Sequence, residues 1–115
     1  MKLVEKEIFL EELKQMSTKM FEALVKAVVD VEKEVMIVDA PMHVDQETWL
    51  LEKYDSKQEN LWGINLYPQH WGKPEFIKFD SMINLRPSQG NRSRTVENPQ
   101  IQQKIIKIVM KLVKP

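Results

Sequence analysis

The residues best suited to chemistry are gathered in one stretch, Arg86-Pro87-Ser88-Gln89-Gly90-Asn91-Arg92-Ser93-Arg94. Its guanidiniums and serine hydroxyls are donors matched to phosphate or carboxylate oxygens. Gly90 and Asn91 tolerate left-handed backbone, so neighbouring N–H groups can turn inward as an anion nest. The stretch lacks the Gly-x4-Gly-Lys-Ser/Thr pattern of a P-loop. The competing reading pairs Arg86 and Arg92 with Asp30, Glu32 or Asp80 inside the fold and leaves the serines to make turns. The expectation is a small anionic ligand held by Arg86, Asn91, Arg92, Ser93 and Arg94, with Asn65, Asp80 and Asn84 on a polar sheet face as the floor of the pocket. A carboxylate beside arginines loses basicity, which favours binding over catalysis and leaves catalytic residues unassigned.

Other constellations are weaker. Asp39, His43, Asp45 and Glu47 are possible metal ligands, but there is one histidine among them, and Asp45 reads as a helix N-cap with Glu47 as a first-turn acid. No metal or other cofactor is therefore expected. A Ser81/His43/Asp39 triad lacks a Gly-x-Ser-x-Gly elbow. Trp71, in a loop beside His70 and Gly72, must fold back onto the body or meet a partner.

These groups need a scaffold, and the apolar pattern supplies one. Leu10, Leu13, Met16, Met20, Phe21 and Leu24 recur at helical spacing, which predicts an amphipathic helix over 9–24. From Val25 the period becomes two, giving a strand to Val31, a turn near Lys33-Glu34 and a second strand over 35–38. A short helix follows from Asp45 to Tyr54. Two alternating segments, 61–67 and 76–85, read as a long-looped hairpin with Trp62, Ile64, Leu66, Ile77, Phe79, Ile83 and Leu85 on one face. Asn98-Pro99 opens the last helix, with Asn as cap and Pro at the first helical position. The apolar arc of that helix spans about 200° at roughly 100° per residue, wider than one core face needs. Ile106, Met110 and Val113 are thus candidates for a homodimer contact. The class is α+β: one domain, 1–115, with an antiparallel sheet of about four strands and N-terminal, middle and C-terminal helices.

Composition sets outer bounds. The 115 residues contain 43% apolar and 30% charged residues, a globular balance, and no cysteine, which removes disulfides and thiol chemistry. No apolar run is long enough for a membrane span or an export signal, so no membrane partner and a cytoplasmic location are expected. The zero net charge is uneven: residues 1–85 carry ten Lys/Arg and sixteen Asp/Glu, whereas 86–115 carry seven and one. Such a split suits self-complementation better than a nucleic-acid surface, because strong polyanion binders are usually basic as a whole.

The segments Leu61-Trp62-Gly63-Ile64-Asn65-Leu66-Tyr67-Pro68 and Phe79 through Arg94 resemble a family of small prokaryotic proteins catalogued as a domain of unknown function. The resemblance extends over most of the chain, including Val28-Val29-Asp30-Val31-Glu32, and implies no activity. Function therefore rests on the residues. The first expectation is a non-enzymatic anion-binding or protein-interaction domain built on the Arg86–Arg94 loop. An enzyme acting on a phosphorylated small molecule or nucleotide and an RNA-binding accessory protein are the alternatives.

Overall fold

Sequence periodicity of two places Val25, Ala27 and Val29 on one side of a strand and Val28 on the other, and a sheet built on that strand must be covered twice. The computed structural model, which describes residues 1–20 and 23–115, shows how. Strands β1 (Lys2–Val4), β3 (Val25–Asp30), β4 (Val35–Val38), β5 (Leu61–Leu66) and β6 (Ile77–Lys78) form one antiparallel sheet in the order β1-β4-β3-β5-β6. Helices α1 (Leu10–Ser17) and α3 (Pro99–Leu112) contribute to the larger core, with Ala27, Val29, Trp62 and Ile64 of the sheet. Helix α2 (His43–Lys53) covers the opposite face, where Leu50 meets Val28, Ile37 and Leu61. The α+β class and the three helices stand as expected, and the sheet has five strands rather than four.

The extra strand is β1, whose three residues carry too little pattern to be read in advance. A second pairing joins β2 (Ile8–Phe9) in parallel to β7 (Val113–Lys114), the last turn of chain after α3. The larger core takes Ile101, Ile105, Ile106, Ile108, Val109 and Leu112, and this pairing takes Val113, so most of the wide apolar arc is covered within the chain. Val113 is buried in that pairing, Ile106 packs against the core, and only Met110 of the three dimer candidates is exposed, at 43%.

Three boundaries differ from the periodic pattern. Helix α1 ends at Ser17, not Leu24, where Ser17 Oγ donates to Lys14 O and Thr18 Oγ1 donates to Gln15 O. Such local bonds compete with helical ones. Ala23 then takes a positive φ of 55°, and the expected core residue Phe21, with Glu22, lies outside the described residues. Helix α2 begins at His43 after an extended Met42, so Asp45 sits in its first turn instead of capping it. The second hairpin strand is the largest correction: it pairs only over Ile77–Lys78, and 82–84 is a 3-10 turn. As a result Ile83 joins the α2-side cluster rather than the face of Trp62, and Leu85 is exposed.

Candidate functional site

The end of β6 leaves most of the outer edge of β5 without a strand, and unpaired backbone there must find other partners. Asn84 provides them at Gly63. Gly63 N–H donates to Asn84 Oδ1 at 2.8 Å, and Asn84 Nδ2 donates to Gly63 O at 2.9 Å and to Arg94 O at 3.0 Å. One side-chain amide thus reproduces the pair of bonds that a neighbouring strand residue would make. A Cβ on Gly63 would lie 2.6 Å from both Ser81 Cβ and Ser81 Oγ, so the approach of this segment requires glycine.

Arg86 continues the edge. Its Nη2 donates to Leu61 O, its Nη1 to Gln58 O at 2.5 Å and its Nε to Ile83 O at 3.0 Å, while the guanidinium carbon stands 4.2 Å from the centroid of the Trp62 ring. Burial pushes this guanidinium below its ordinary pKa, and the Glu47 carboxylate opposes that shift. Asn91 gathers the chain from 93 to 97. Its Nδ2 donates to Asn84 O, Ser93 O and Thr95 O, and its Oδ1 accepts from Glu97 N–H. Gly90 adopts the left-handed φ of 84° that closes the turn, but the N–H groups of Gln89, Gly90 and Asn91 bond within it, to Arg86 O, Pro87 O and Arg86 O. The backbone donors expected to face a guest are engaged internally, and so are the side-chain donors of Arg86, Asn84 and Asn91.

The remaining predicted residues divide. Arg94 Nε donates to Asp80 Oδ1 at 2.8 Å, with both side chains more than half exposed at 55% and 60%. An ion pair that wet is weak and leaves Arg94 available. Arg92 is exposed and its N–H donates to Glu97 Oε2 at 3.2 Å. Glu97 is held below the usual carboxylate range, first by the Ser93 hydroxyl and then by Arg92 N–H. Ser93 Oγ nevertheless makes no bond of strict hydrogen-bond geometry, so its influence on Glu97 is that of a nearby dipole. Asn65 is buried and its Nδ2 donates to Asp80 O at 3.0 Å.

Two of the acids that could have paired with Arg86 and Arg92 serve elsewhere. Asp30 accepts from Glu32 N–H, Lys33 N–H and Ser56 Oγ at the β3–β4 turn, and Glu32 accepts from Asn60 Nδ2. Asp39 pairs with Lys19 at 3.0 Å, away from a triad role, and among the described residues no group of three or more His, Cys, Asp or Glu is arranged to hold a metal. Trp71 folds back, its ring edge-on to Phe76 at 5.0 Å.

Arg94 reaches a cleft that periodicity did not reveal. Lys26 of β3, Met42, His43 and Val44 at the start of α2, and Ser81, Met82, Ile83 and Arg94 line a hollow of about 180 Å³. Two cations, a hydroxyl and an imidazole converge there from four separate segments. Lys26 arrives because it alternates with Val25 and Ala27, which face the larger core. Helix α2 has no side-chain cap, so the positive end of its dipole adds to the field, although Asp45 N–H is taken by Met42 O and the Asp45 carboxylate in the first turn offsets part of it. Ser81 is buried, and its Oγ accepts from Ile83 N–H at 3.3 Å, a bond that does not use the hydroxyl's own proton.

His43 anchors the helix to the sheet through a 2.7 Å bond between Nε2 and Ile64 O, a contact that requires the proton on Nε2. Burial holds its pKa below the ordinary 6.5; the Ile64 bond and Asp80 oppose the shift, while Lys26 and Arg94 reinforce it. Lys26 is the residue that sequence reasoning missed. The signal lay in the pairing register, since Lys26 stands directly across from Asn65.

With this geometry in place, comparison with known proteins bears on identity. A family model described as a protein of unknown function (DUF5674) matches residues 2–112. The chain belongs to the DUF5674 family. That coverage runs from β1 to the end of α3, so the sheet-edge device and the cleft both lie within the DUF5674 unit. No curated protein and no solved structure matches it. Among the described residues, no helix is long and apolar enough to cross a membrane.

Proposed function

We propose that this DUF5674 protein is a binding domain for a small oxyanion, and that the ligand sits in the cleft between the start of α2 and the segment 81–83. The observation that carries this reading is the convergence of Lys26, Arg94, the Ser81 hydroxyl and the uncapped α2 N-terminus on one hollow. Donors held by a sheet, a helix and a pinned loop lose little freedom on binding, which is what makes a preformed anion site effective. The loop expected from sequence to bind directly contributes Arg94 to the cleft. In this reading Arg86, Asn84 and Asn91 hold that loop in place, and Arg92 and Ser93 stand outside the cleft lining.

The reading favours binding over catalysis. His43 is tied to Ile64 O, and the carboxylate nearest Arg94, Asp80, is paired with it. A hollow of about 180 Å³ is also smaller than the roughly 300 Å³ at the lower end of drug-sized pockets, which suits a ligand of few heavy atoms better than a nucleotide.

The test is thermal. Millimolar sulfate, compared with chloride at equal ionic strength, is expected to raise the melting temperature, at about 5 °C for each kcal/mol of linkage. Lys26→Met and Arg94→Gln should each remove most of the rise, whereas Arg92→Gln should retain it. A rise equal in all four proteins would mean that the salt acts on solvent exclusion alone, and the reading would be abandoned.

A further inference from the structure

His43 lines the same cleft as Lys26 and Arg94, yet the anion reading, on which this inference rests, gives it no part in holding the ligand. Its ring is fixed. Nε2 donates to Ile64 O at 2.7 Å, a bond open to the neutral and the protonated imidazole alike. Nδ1 makes no hydrogen bond among the described residues, so it is the nitrogen that takes a second proton. The charges acting on the ring are Lys26 of β3, Asp80, and Arg94 of the loop before α3. Ser81, Met82 and Ile83, which line the cleft with it, carry none, and Asp45 and Glu47 follow on its own helix. Burial disfavours the imidazolium, as do Lys26 and Arg94; the Ile64 bond and Asp80 favour it.

The two cations that disfavour the imidazolium are the two that an oxyanion in the cleft would neutralise. Bound negative charge offsets both repulsions and adds an attraction of its own. With His43 protonated, the cleft carries three positive charges against the one carboxylate of Asp80, which is paired with Arg94. A dianion matches that balance, and a monoanion meets only half of it. We infer that the cleft takes up a dianionic oxyanion together with one proton, which His43 holds. Affinity then rises as pH falls through the range in which His43 protonates, by the reciprocity of linked binding. The preference for a dianion over a monoanion of the same shape sharpens in the same direction.

Calorimetry on the intact protein tests this with sulfate, which stays doubly charged across the range used, and with the tetrahedral monoanion methanesulfonate. Sulfate is expected to bind about tenfold more tightly at roughly pH 5.5 than at roughly pH 8, which is one pKa unit of coupling. Methanesulfonate should gain less, and buffers of different ionisation heat should show a proton taken up with sulfate. There are two histidines in the chain, so ring resonances can be followed directly. Sulfate should move the titration midpoint of His43 upward and leave that of His70, which is outside the cleft lining, in place. His43→Asn should bind sulfate with little dependence on pH; the resonance measurement on the unaltered chain stands even if that variant does not fold. Sulfate binding that is independent of pH would overturn the inference and leave the anion reading intact. Binding that depends on pH while the His43 midpoint stays fixed would overturn it by placing the proton elsewhere. An equal gain for methanesulfonate would overturn the assignment of a dianion. Absence of binding by both probes at every pH would remove the anion reading and this inference together.

Discussion

Gly63 and Arg86 show how single side chains decide the shape of this molecule. Gly63 has no side chain, and the segment that carries Ser81 and Asn84 packs into the space a Cβ would fill. Gly63→Ala is expected to lower unfolding free energy by about 2 kcal/mol or more, by overpacking and by displacing the Asn84 amide from its two backbone partners, as read from a urea denaturation midpoint. Arg86 joins the carbonyls of Gln58 and Leu61 at the entry to β5 with that of Ile83 and covers the Trp62 ring, work that depends on a planar, forked cation. Lysine keeps the charge but has neither fork nor plane, so Arg86→Lys should destabilise by about 2 kcal/mol and speed proteolysis within residues 86–96. A variant of wild-type stability would show that the guanidinium bonds add nothing to the fold. Arginine and asparagine are visibly concentrated here in the sequence, but nothing local indicates that their partners are backbone groups of a strand far earlier in the chain.

At the scale of elements, strength of signal tracks local information. Helix α3 has its cap, its proline and its apolar stripe all written in consecutive residues, and it spans Pro99–Leu112 with Asn98 Oδ1 accepting from Gln100 N–H at 2.8 Å. Asn98→Ala should accordingly cost about 1 kcal/mol, measurable as a lowered melting temperature, and Asn98→Asp should restore most of it. By contrast, 76–85 alternates like a strand yet pairs over two residues only. Alternation reports a preference for an extended, half-buried chain, and it is blind to whether a neighbouring strand is within reach. Here Ser81 and Asn84 turn the segment inward before it can pair further. The two-residue β2 and β7 were equally unreadable, because their parallel pairing joins opposite ends of the chain.

For the molecule as a whole, the cleft ties stability to pH through His43. Its folded pKa lies below the ordinary 6.5, so the unfolded chain binds more protons in that range. The contribution is present above 6.5 and is lost as pH falls toward the folded value. The wild-type denaturation midpoint should thus drop between roughly pH 7.5 and roughly pH 5.5, and His43→Asn should show a flatter profile over the same range. Parallel profiles for the two proteins would place the pH dependence on other groups. The two portions of the charge split meet at two exposed ion pairs, Lys111 with Glu34 at 3.4 Å and Arg94 with Asp80 at 2.8 Å. By itself the sequence determined the α+β class, the three helices, the central strands and the concentration of polar donors near the C-terminal third, since periodicity, caps and composition act between near neighbours. Only the tertiary structure decided which of those donors close the edge of β5 and which reach a cleft. A side-chain amide can bond a backbone or a ligand equally well, and the choice depends on what the fold brings within about 3 Å of it.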